Sequence, residues 1–361
     1  MNKRFLKRIE GLPQDILDQM HVIDDLKAKW VSGAKLDPQI LGQLKKSVLV
    51  TSTGASTRIE GARLSDEDVE KLMRGISMQK FRDRDTQEVQ GYYELLANVF
   101  ENYQSIPFSE STIKFFHKEL LKYAEKDTLH QGEYKKKENK VHMINDAGES
   151  VGVLFDTTPA YLTPKEMQEL VEWTQISLTE KSAHPLLVIT NFIVEFLNIH
   201  PFEDSNGRLS RVLTNLLLLQ QGFVYMPYIS HEKLVEDNKP EYYLALRQSQ
   251  RTFSAKGGSA LGGKMENETI IPWATLFFSV LLEQSRRAVE LLSHEQTDKL
   301  LSKQQQVIWH YIERAHEATP LEMVKATGVP RPTVNQALTK LLKLKRIERF
   351  GVGRGTRYRK M

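Results

Sequence analysis

Apolar residues in this chain recur mostly at spacings of three and four, as at Ile113, Phe116, Leu120 and Leu121 and again at Leu170, Trp173 and Ile176. That is the helical period, and it predicts a mainly all-α protein. The exception is Lys140 to Phe155, where Val141 and Met143, and then Val151, Val153 and Phe155, alternate on either side of Asn145-Asp146-Ala147-Gly148. Period-two alternation about turn-forming residues predicts a β-hairpin. Pro164 then suits the opening of a helix carrying Met167 to Ile176. A strongly apolar helix is expected from Leu186 to Ile199, ended by Pro201, and a second from near Gly207 through Leu216 to Leu219. Helices this apolar belong at the centre of a core.

Lys256 to Lys264 reads as a glycine-rich loop, and helical periodicity resumes from Thr269 to Leu300 through Trp273, Phe277, Leu281 and Leu282. A polar stretch, His294 to Lys299, marks a boundary before the last part of the chain. There Pro320 to Thr327, a turn over Gly328-Val329-Pro330-Arg331-Pro332, and Thr333 to Lys345 read as helix, turn, helix, with Thr319 placed to cap the first helix. Val334, Ala337, Leu338, Leu341 and Leu342 form the buried stripe of the second helix, leaving Asn335, Gln336, Thr339, Lys340 and Lys343 outward. Ile347 to Phe350 and Thr356 to Arg359 then read as two short strands joined by a tip that carries Arg354.

A length of 361 residues favours two or three domains. Without cysteine the chain can form neither a disulfide nor a thiolate zinc site, which suits a reducing cytosol. Its apolar runs fall short of the roughly 20 residues a membrane span needs, and no apolar signal region follows the basic start Met1 to Arg8. A cytoplasmic protein without a membrane partner is the expectation. The net charge of +4 conceals an asymmetry. Residues 331–361 hold ten basic side chains against one acid, Glu348, so this segment is +9 and the other 330 residues are −5. A basic end on a mildly acidic protein seeks a polyanion.

The chemistry concentrates in His200-Pro-Phe-Glu-Asp-Ser-Asn-Gly-Arg-Leu-Ser-Arg211, between the two apolar helices. His200 can exchange a proton near neutral pH, and Asp204 is a hard oxygen ligand suited to Mg²⁺. Asn206 and Gly207 fall at a helix N-terminus, where free N–H groups and the helix dipole favour anions. Arg208 and Arg211 lie three apart and can fork onto phosphate oxygens. Taken singly, His200 reads as a structural histidine and the arginines as surface charges. Their concentration in twelve residues describes a nucleoside triphosphate site instead.

This segment resembles the motif of the Fic family, His-Pro-Phe-x-Asp/Glu-Gly-Asn-Gly-Arg-x-x-Arg. His200, Pro201, Phe202, Asp204, Asn206, Gly207, Arg208 and Arg211 match it, and Ser205 stands where the family usually has glycine. The resemblance extends from about Ile40 to about Leu291. It implies a helical Fic core at 111–297 behind an N-terminal helical region at 1–110, and transfer of AMP from ATP to a hydroxyl of a protein, another chain or this one. On that resemblance His200 is the base, Asp204 holds Mg²⁺, and Phe202 anchors the loop. Ser205 lies in the anion nest, Asn206 and Gly207 cradle phosphate oxygens, Arg208 takes the β-phosphate region and Arg211 the γ-phosphate. Val141, His142 and Met143 fall on the family's flap, which lays the target strand beside the site, although an ordinary surface hairpin fits the pattern equally. Tyr242 and Tyr243 resemble a pair lining the nucleobase pocket, although adjacent helical aromatics are more often core.

Ser56-Thr-Arg-Ile-Glu60-Gly61 matches the family's inhibitory motif, Ser/Thr-x-x-x-Glu-Gly/Asn. An arginine that awaits a phosphate accepts a carboxylate as well, so a Glu60–Arg211 pair would misplace the triphosphate and abolish in-line geometry. Residues 298–361 resemble a winged-helix domain, with Arg354 and Arg357 placed for DNA phosphates or the minor groove; a protein-binding helical module is the other reading.

Two further patterns are decoys. Gly258 to Lys264 has P-loop spacing but Met265 in place of Ser/Thr and no preceding strand, and His231-Glu232 lacks the second histidine of a zincin. Two rival functions remain, a DNA-binding regulator whose Fic part senses nucleotide or is inactive, and an enzyme that removes AMP with Glu60 positioning water. A homodimer is compatible with the sequence.

Overall fold

The structure, a computed structural model, describes residues 3–33, 38–62, 64–74, 84–124, 129–144, 150–249, 270–344, 346–351 and 356–361. The chain divides into two compact units, Met1–Ala288 and Val289–Met361. The first holds helices α1 (Lys3–Arg8), α2 (Gln14–Gly33), α3 (Pro38–Ile59), α4 (Asp66–Met73), α5 (Arg84–Asn102) and α6 (Glu110–Leu120), then a hairpin of β1 (Lys140–Ile144) and β2 (Ser150–Asp156). It continues with α7 (Thr163–Glu180), α8 (Pro185–Ile199), α9 (Asn206–Gln220), α10 (His231–Asp237) and α11 (Lys239–Gln248), and the unit boundary falls inside α12 (Ile271–Leu300).

Helix α8 is the axis of the first unit. Pro185 occupies its first turn, where a missing N–H costs nothing, and nearly every side chain from Leu186 to Ile199 is buried. Helices α7 and α9 flank it, and α3 packs along α5, α9 and α10, so the N-terminal helices share one core with the central ones. Helices α5 and α6 cross at Gly91, where a Cβ would stand 2.0 Å from the carbonyl oxygen of Leu120. Only glycine allows that approach.

The expected hairpin forms, with β1 antiparallel to β2 and Val141 opposite Phe155. Its register shifts between Val141 and His142 and again between Met143 and Ile144, the irregularity of a bulged pair. The turn at 145–149, the glycine-rich loop with its P-loop-like spacing, and Arg354 lie outside the described residues.

The second unit contains α13 (Lys303–Ala315), β3 (Glu317–Ala318), α14 (Pro320–Thr327), α15 (Arg331–Lys343), β4 (Ile347–Phe350) and β5 (Arg357–Lys360). Its sheet is antiparallel in the order β3-β5-β4. Ile308, Trp309, Ile312, Met323, Val334, Leu338, Leu341 and Ile347 build its core. A capping box between Thr319 and Glu322 starts α14, and Gly328 ends it at φ 70°. Helix α15 opens at Arg331, two residues before the expected Thr333, because Pro332 suits a helix's first turn as well as the turn it suggested. Strand β3 has two residues, too few to alternate.

Candidate active site

Helix α8 ends at His200, whose left-handed backbone (φ 51°) turns the chain into the loop while its N–H still donates to the Phe196 carbonyl at 2.9 Å. Its Nδ1 lies 3.4 Å from the carbonyl oxygen of Leu197. That neighbour favours a proton on Nδ1 and leaves Nε2 as the acceptor. Burial, and next the charge of Lys135, lower the His200 pKa to about 4, against the Leu197 carbonyl, Glu60 and Asp204, which pull the other way. The ring is neutral at physiological pH, as a proton acceptor must be.

Phe202 is fully buried and stacks face to face on His117, with centroids 3.9 Å apart and planes 9° apart. His117 accepts from the Gly132 N–H at Nδ1 (2.9 Å), so Nε2 carries the proton and donates to the Asp204 carbonyl oxygen at 3.3 Å. Burial lowers the His117 pKa to about 4 as well. Asn206 clamps the loop from within: its Oδ1 accepts from the Phe202 N–H at 3.0 Å and its Nδ2 donates to the Phe202 carbonyl at 2.9 Å. With its side chain so engaged, Asn206 offers a phosphate its backbone N–H at the start of α9. The Asp204 carboxylate is 40% exposed at the rim, where Oδ1 accepts from the Ser205 N–H at 2.6 Å and lies 3.7 Å from Arg208.

Ser205, in the usual place of glycine, has φ 64°, the left-handed conformation that favours glycine. What offsets the strain is its hydroxyl, which accepts from Nη2 of Arg208 at 2.8 Å. Arg208 also pairs through Nη1 with Glu88, a buried carboxylate on α5.

Arg211 is 3% exposed and is held by the end of α3 through Nε and Nη2, while its buried Nη1 makes no hydrogen bond among the described residues. Its Nε donates to Ser56 Oγ (2.8 Å), and its Nη2 to the Ser56 carbonyl (2.8 Å) and Glu60 Oε1 (2.8 Å). Ser56 lies on the last turn of α3 and Glu60 directly follows the helix, four positions on, so both face Arg211. Gly61 then turns the chain away at φ 98°. The Glu60 carboxylate also lies against Gly207, where a Cβ would stand 2.2 Å from Oε1. It therefore fills the concave N-terminus of α9.

The segment bearing Glu60 is bolted in place. Arg58 pairs with Glu236 (2.5 Å) and Asp66 (2.9 Å), Lys239 donates to the Arg58 carbonyl (3.2 Å), and the Tyr243 hydroxyl donates to the Ile59 carbonyl (3.0 Å). Tyr242 and Tyr243 are buried behind this helix end, and Tyr242 packs edge-on against Trp273 at 5.6 Å. Tyr242 and Arg211 also line a small pocket with His231, Trp273 and Phe277. Along β1 only the backbone places Val141, His142 and Met143, beside the loop that ends α8.

Sequence reasoning missed Glu88, His117 and Lys135. Lys135 is buried, and its ammonium donates to Asn139 Oδ1 (2.8 Å), Thr157 Oγ1 (2.8 Å) and the Ile199 carbonyl (3.0 Å). No local signal separates it from its exposed neighbours Lys136 and Lys137.

A helical fold with an anion-accepting helix N-terminus, two buried arginines and a neutral histidine is the class these features define. Residues 107–218 match the model of the Fic/DOC family. The chain is 30% identical over 99 residues to a probable protein adenylyltransferase of Aquifex aeolicus, covering 27% of this chain and 28% of that protein. It is 35% identical over 101 residues to a Fido domain-containing protein of Dictyostelium discoideum, covering 26% of this chain and 64% of the relative. The chain thus spans less than two thirds of the length of either curated relative. A Fic family protein from Desulfovibrio desulfuricans has the same fold, with a TM-score of 0.60, 21% identity and 97% of each chain covered. The likeness to the Fic/DOC family thus rests on residues 107–218, and the shared fold extends it over nearly the whole chain.

Proposed function

We propose that the protein is an autoinhibited protein adenylyltransferase, which transfers AMP from ATP to the hydroxyl of a Tyr, Ser or Thr side chain and releases pyrophosphate. The position of the Glu60 carboxylate carries the reading: bonded to Arg211 and seated against Gly207, it holds the ground a terminal phosphate would take. The name of the Aquifex aeolicus relative agrees with it.

In this reading Nε2 of His200 takes the proton of the incoming hydroxyl. The oxygen bonds to the α-phosphorus while the bond to the bridging oxygen breaks, and that electron pair departs on pyrophosphate. Arg211, released from Glu60, binds the γ-phosphate; Arg208 serves the β-phosphate region; and the N–H groups opening α9 receive phosphate oxygens. Asp204 is an exposed hard-oxygen donor at the rim, which fits Mg²⁺ held mainly by substrate phosphates and water, since among the described residues no cluster of three metal-binding side chains exists. A Mg²⁺ held by Asp204 would supply positive charge against the leaving pyrophosphate. The hairpin offers an edge for the target's backbone.

The test is incubation of wild type, Glu60→Gly and Glu60→Gly/His200→Ala with α-labelled ATP. Label on protein in the first variant and none in the double variant supports the reading, and no label in any overturns it. Loss of label from pre-modified protein on adding wild type selects the reverse reaction.

For the second unit we propose a winged-helix domain that binds DNA. Helix α15 buries Val334, Ala337, Leu338 and Leu341 and exposes Asn335, Gln336, Thr339 and Lys343, with Lys340 half-buried between them. Arg357 is occupied by Glu317 at 2.7 Å. A mobility shift on duplex DNA that weakens with salt, and weakens further in Lys343→Ala, supports this; no shift at low salt overturns it.

A further inference from the structure

Both stems of the hairpin end on one buried cation. Asn139 directly precedes β1 and Thr157 directly follows β2, and the Lys135 ammonium donates to both side chains. Its third bond goes to the Ile199 carbonyl, one residue before His200. An ammonium has three N–H donors, and all are used here. Further bonds tie the cluster to the loop, to the end of α8 and across the two stems. The Lys135 backbone N–H donates to the Pro201 carbonyl at 2.9 Å, and Asn139 Nδ2 donates to the Phe202 carbonyl at 2.8 Å. The Thr157 hydroxyl lies 2.6 Å from Asn139 Oδ1 and donates across the two stems. The Thr158 N–H donates to the Asn198 carbonyl at 3.3 Å.

We propose that Lys135 is a positioning residue that registers the β1–β2 hairpin against the loop that carries His200. The proposal rests on the reading of His200 as the base. Any strand that the hairpin presents is placed relative to the catalytic ring through this cation, which bonds both stems and the Ile199 carbonyl at once, with Asn139 adding a second tie to the Phe202 carbonyl. The charge has a second effect. Among the described residues no carboxylate forms an ion pair with Lys135. Burial lowers its pKa to about 8 against the opposing pull of Glu138 and Glu166, so it remains a cation at neutral pH. Among the described residues Lys135 is the leading charge that opposes protonation of the His200 ring, and Glu60 and Asp204 favour it.

The test uses the full chain with Glu60→Gly as background, adding Lys135→Met, Lys135→Arg or Thr157→Val. Deuterium uptake of the β1 and β2 amides and the NMR titration of His200 are read without any reaction, and the pH profile of AMP transfer is read beside them. Lys135→Met is expected to raise uptake in both strands, to raise the His200 pKa by about one unit, and to lower kcat at least severalfold with KM for ATP unchanged. Lys135→Arg retains the low His200 pKa. Thr157→Val loosens the hairpin but leaves the His200 titration where it was, separating tether from charge. Unchanged uptake and an unchanged His200 pKa in Lys135→Met would overturn the proposal. Should the Glu60→Gly background transfer no AMP, the enzymatic reading fails, and the exchange and titration arms still decide the role of Lys135.

Discussion

Oε1 of Glu60 stands 2.8 Å from Nη2 of Arg211, and the guanidinium is buried while the carboxylate is one-third exposed. The pair is thus accessible from the carboxylate side alone. Replacing Glu60 by glycine removes the competitor without leaving a buried charge among apolar groups, since the guanidinium retains both bonds to Ser56. Glu60→Gly is expected to increase AMP transfer severalfold or more, read as label from α-labelled ATP, and to tighten ATP binding in calorimetry. Equal labelling by wild type and variant would show that the contact is no brake.

Two histidines make the fold acid-sensitive. His117 and His200 each have a folded pKa of about 4 against an ordinary 6.5. Below pH 6.5 the unfolded chain takes up protons that the folded chain refuses until about pH 4, so stability is full above that window and falls as pH drops through it. Denaturant midpoints at pH 7.5, 6 and 5 should decline in that order; a flat series would contradict the burial of both rings.

Ser205 combines a strained backbone with a useful hydroxyl, so two substitutions should part company. Ser205→Ala keeps the left-handed strain and loses the bond to Arg208, a charged hydrogen bond worth about 1.5–3 kcal/mol. Ser205→Gly loses the same bond but recovers about 1–2 kcal/mol from the relaxed backbone. In thermal melts glycine should rank above alanine, with both at or below wild type.

Gly91 has no room for a methyl group. A Cβ at 2.0 Å from a backbone carbonyl cannot be accommodated by a side-chain shift, so α5 and α6 must separate. Gly91→Ala is expected to cost about 1–3 kcal/mol or more, read from urea midpoints. Because Glu88 lies one turn away on α5, nucleotide affinity should weaken alongside.

The features legible in the sequence were those whose partners lie close along the chain. The loop from His200 to Arg211, its flanking apolar helices and the hairpin are each written in a dozen or so consecutive positions, and the fold assembled from them agrees with the helical period. Glu60 was legible because Ser56 and Gly61 accompany it at fixed spacing. Glu88 is 120 residues from Arg208, and His117 is 87 from Asp204. Nothing local distinguishes either from an ordinary helical residue. Lys135 begins a run of three lysines of which it alone is buried, a difference set by where Asn139, Thr157 and Ile199 meet in space.

The fastening of α3 at its last turn bears on how this protein would be switched. Arg58, Lys239 and Tyr243 hold the main chain around Ile59 from three directions, so the helix end gives no hinge on which to swing. What can turn is the glutamate's own three torsions. A control element of that size is thrown by a rotamer change, on the timescale of side chains instead of domains, and any signal that governs it has to reach a single carboxylate.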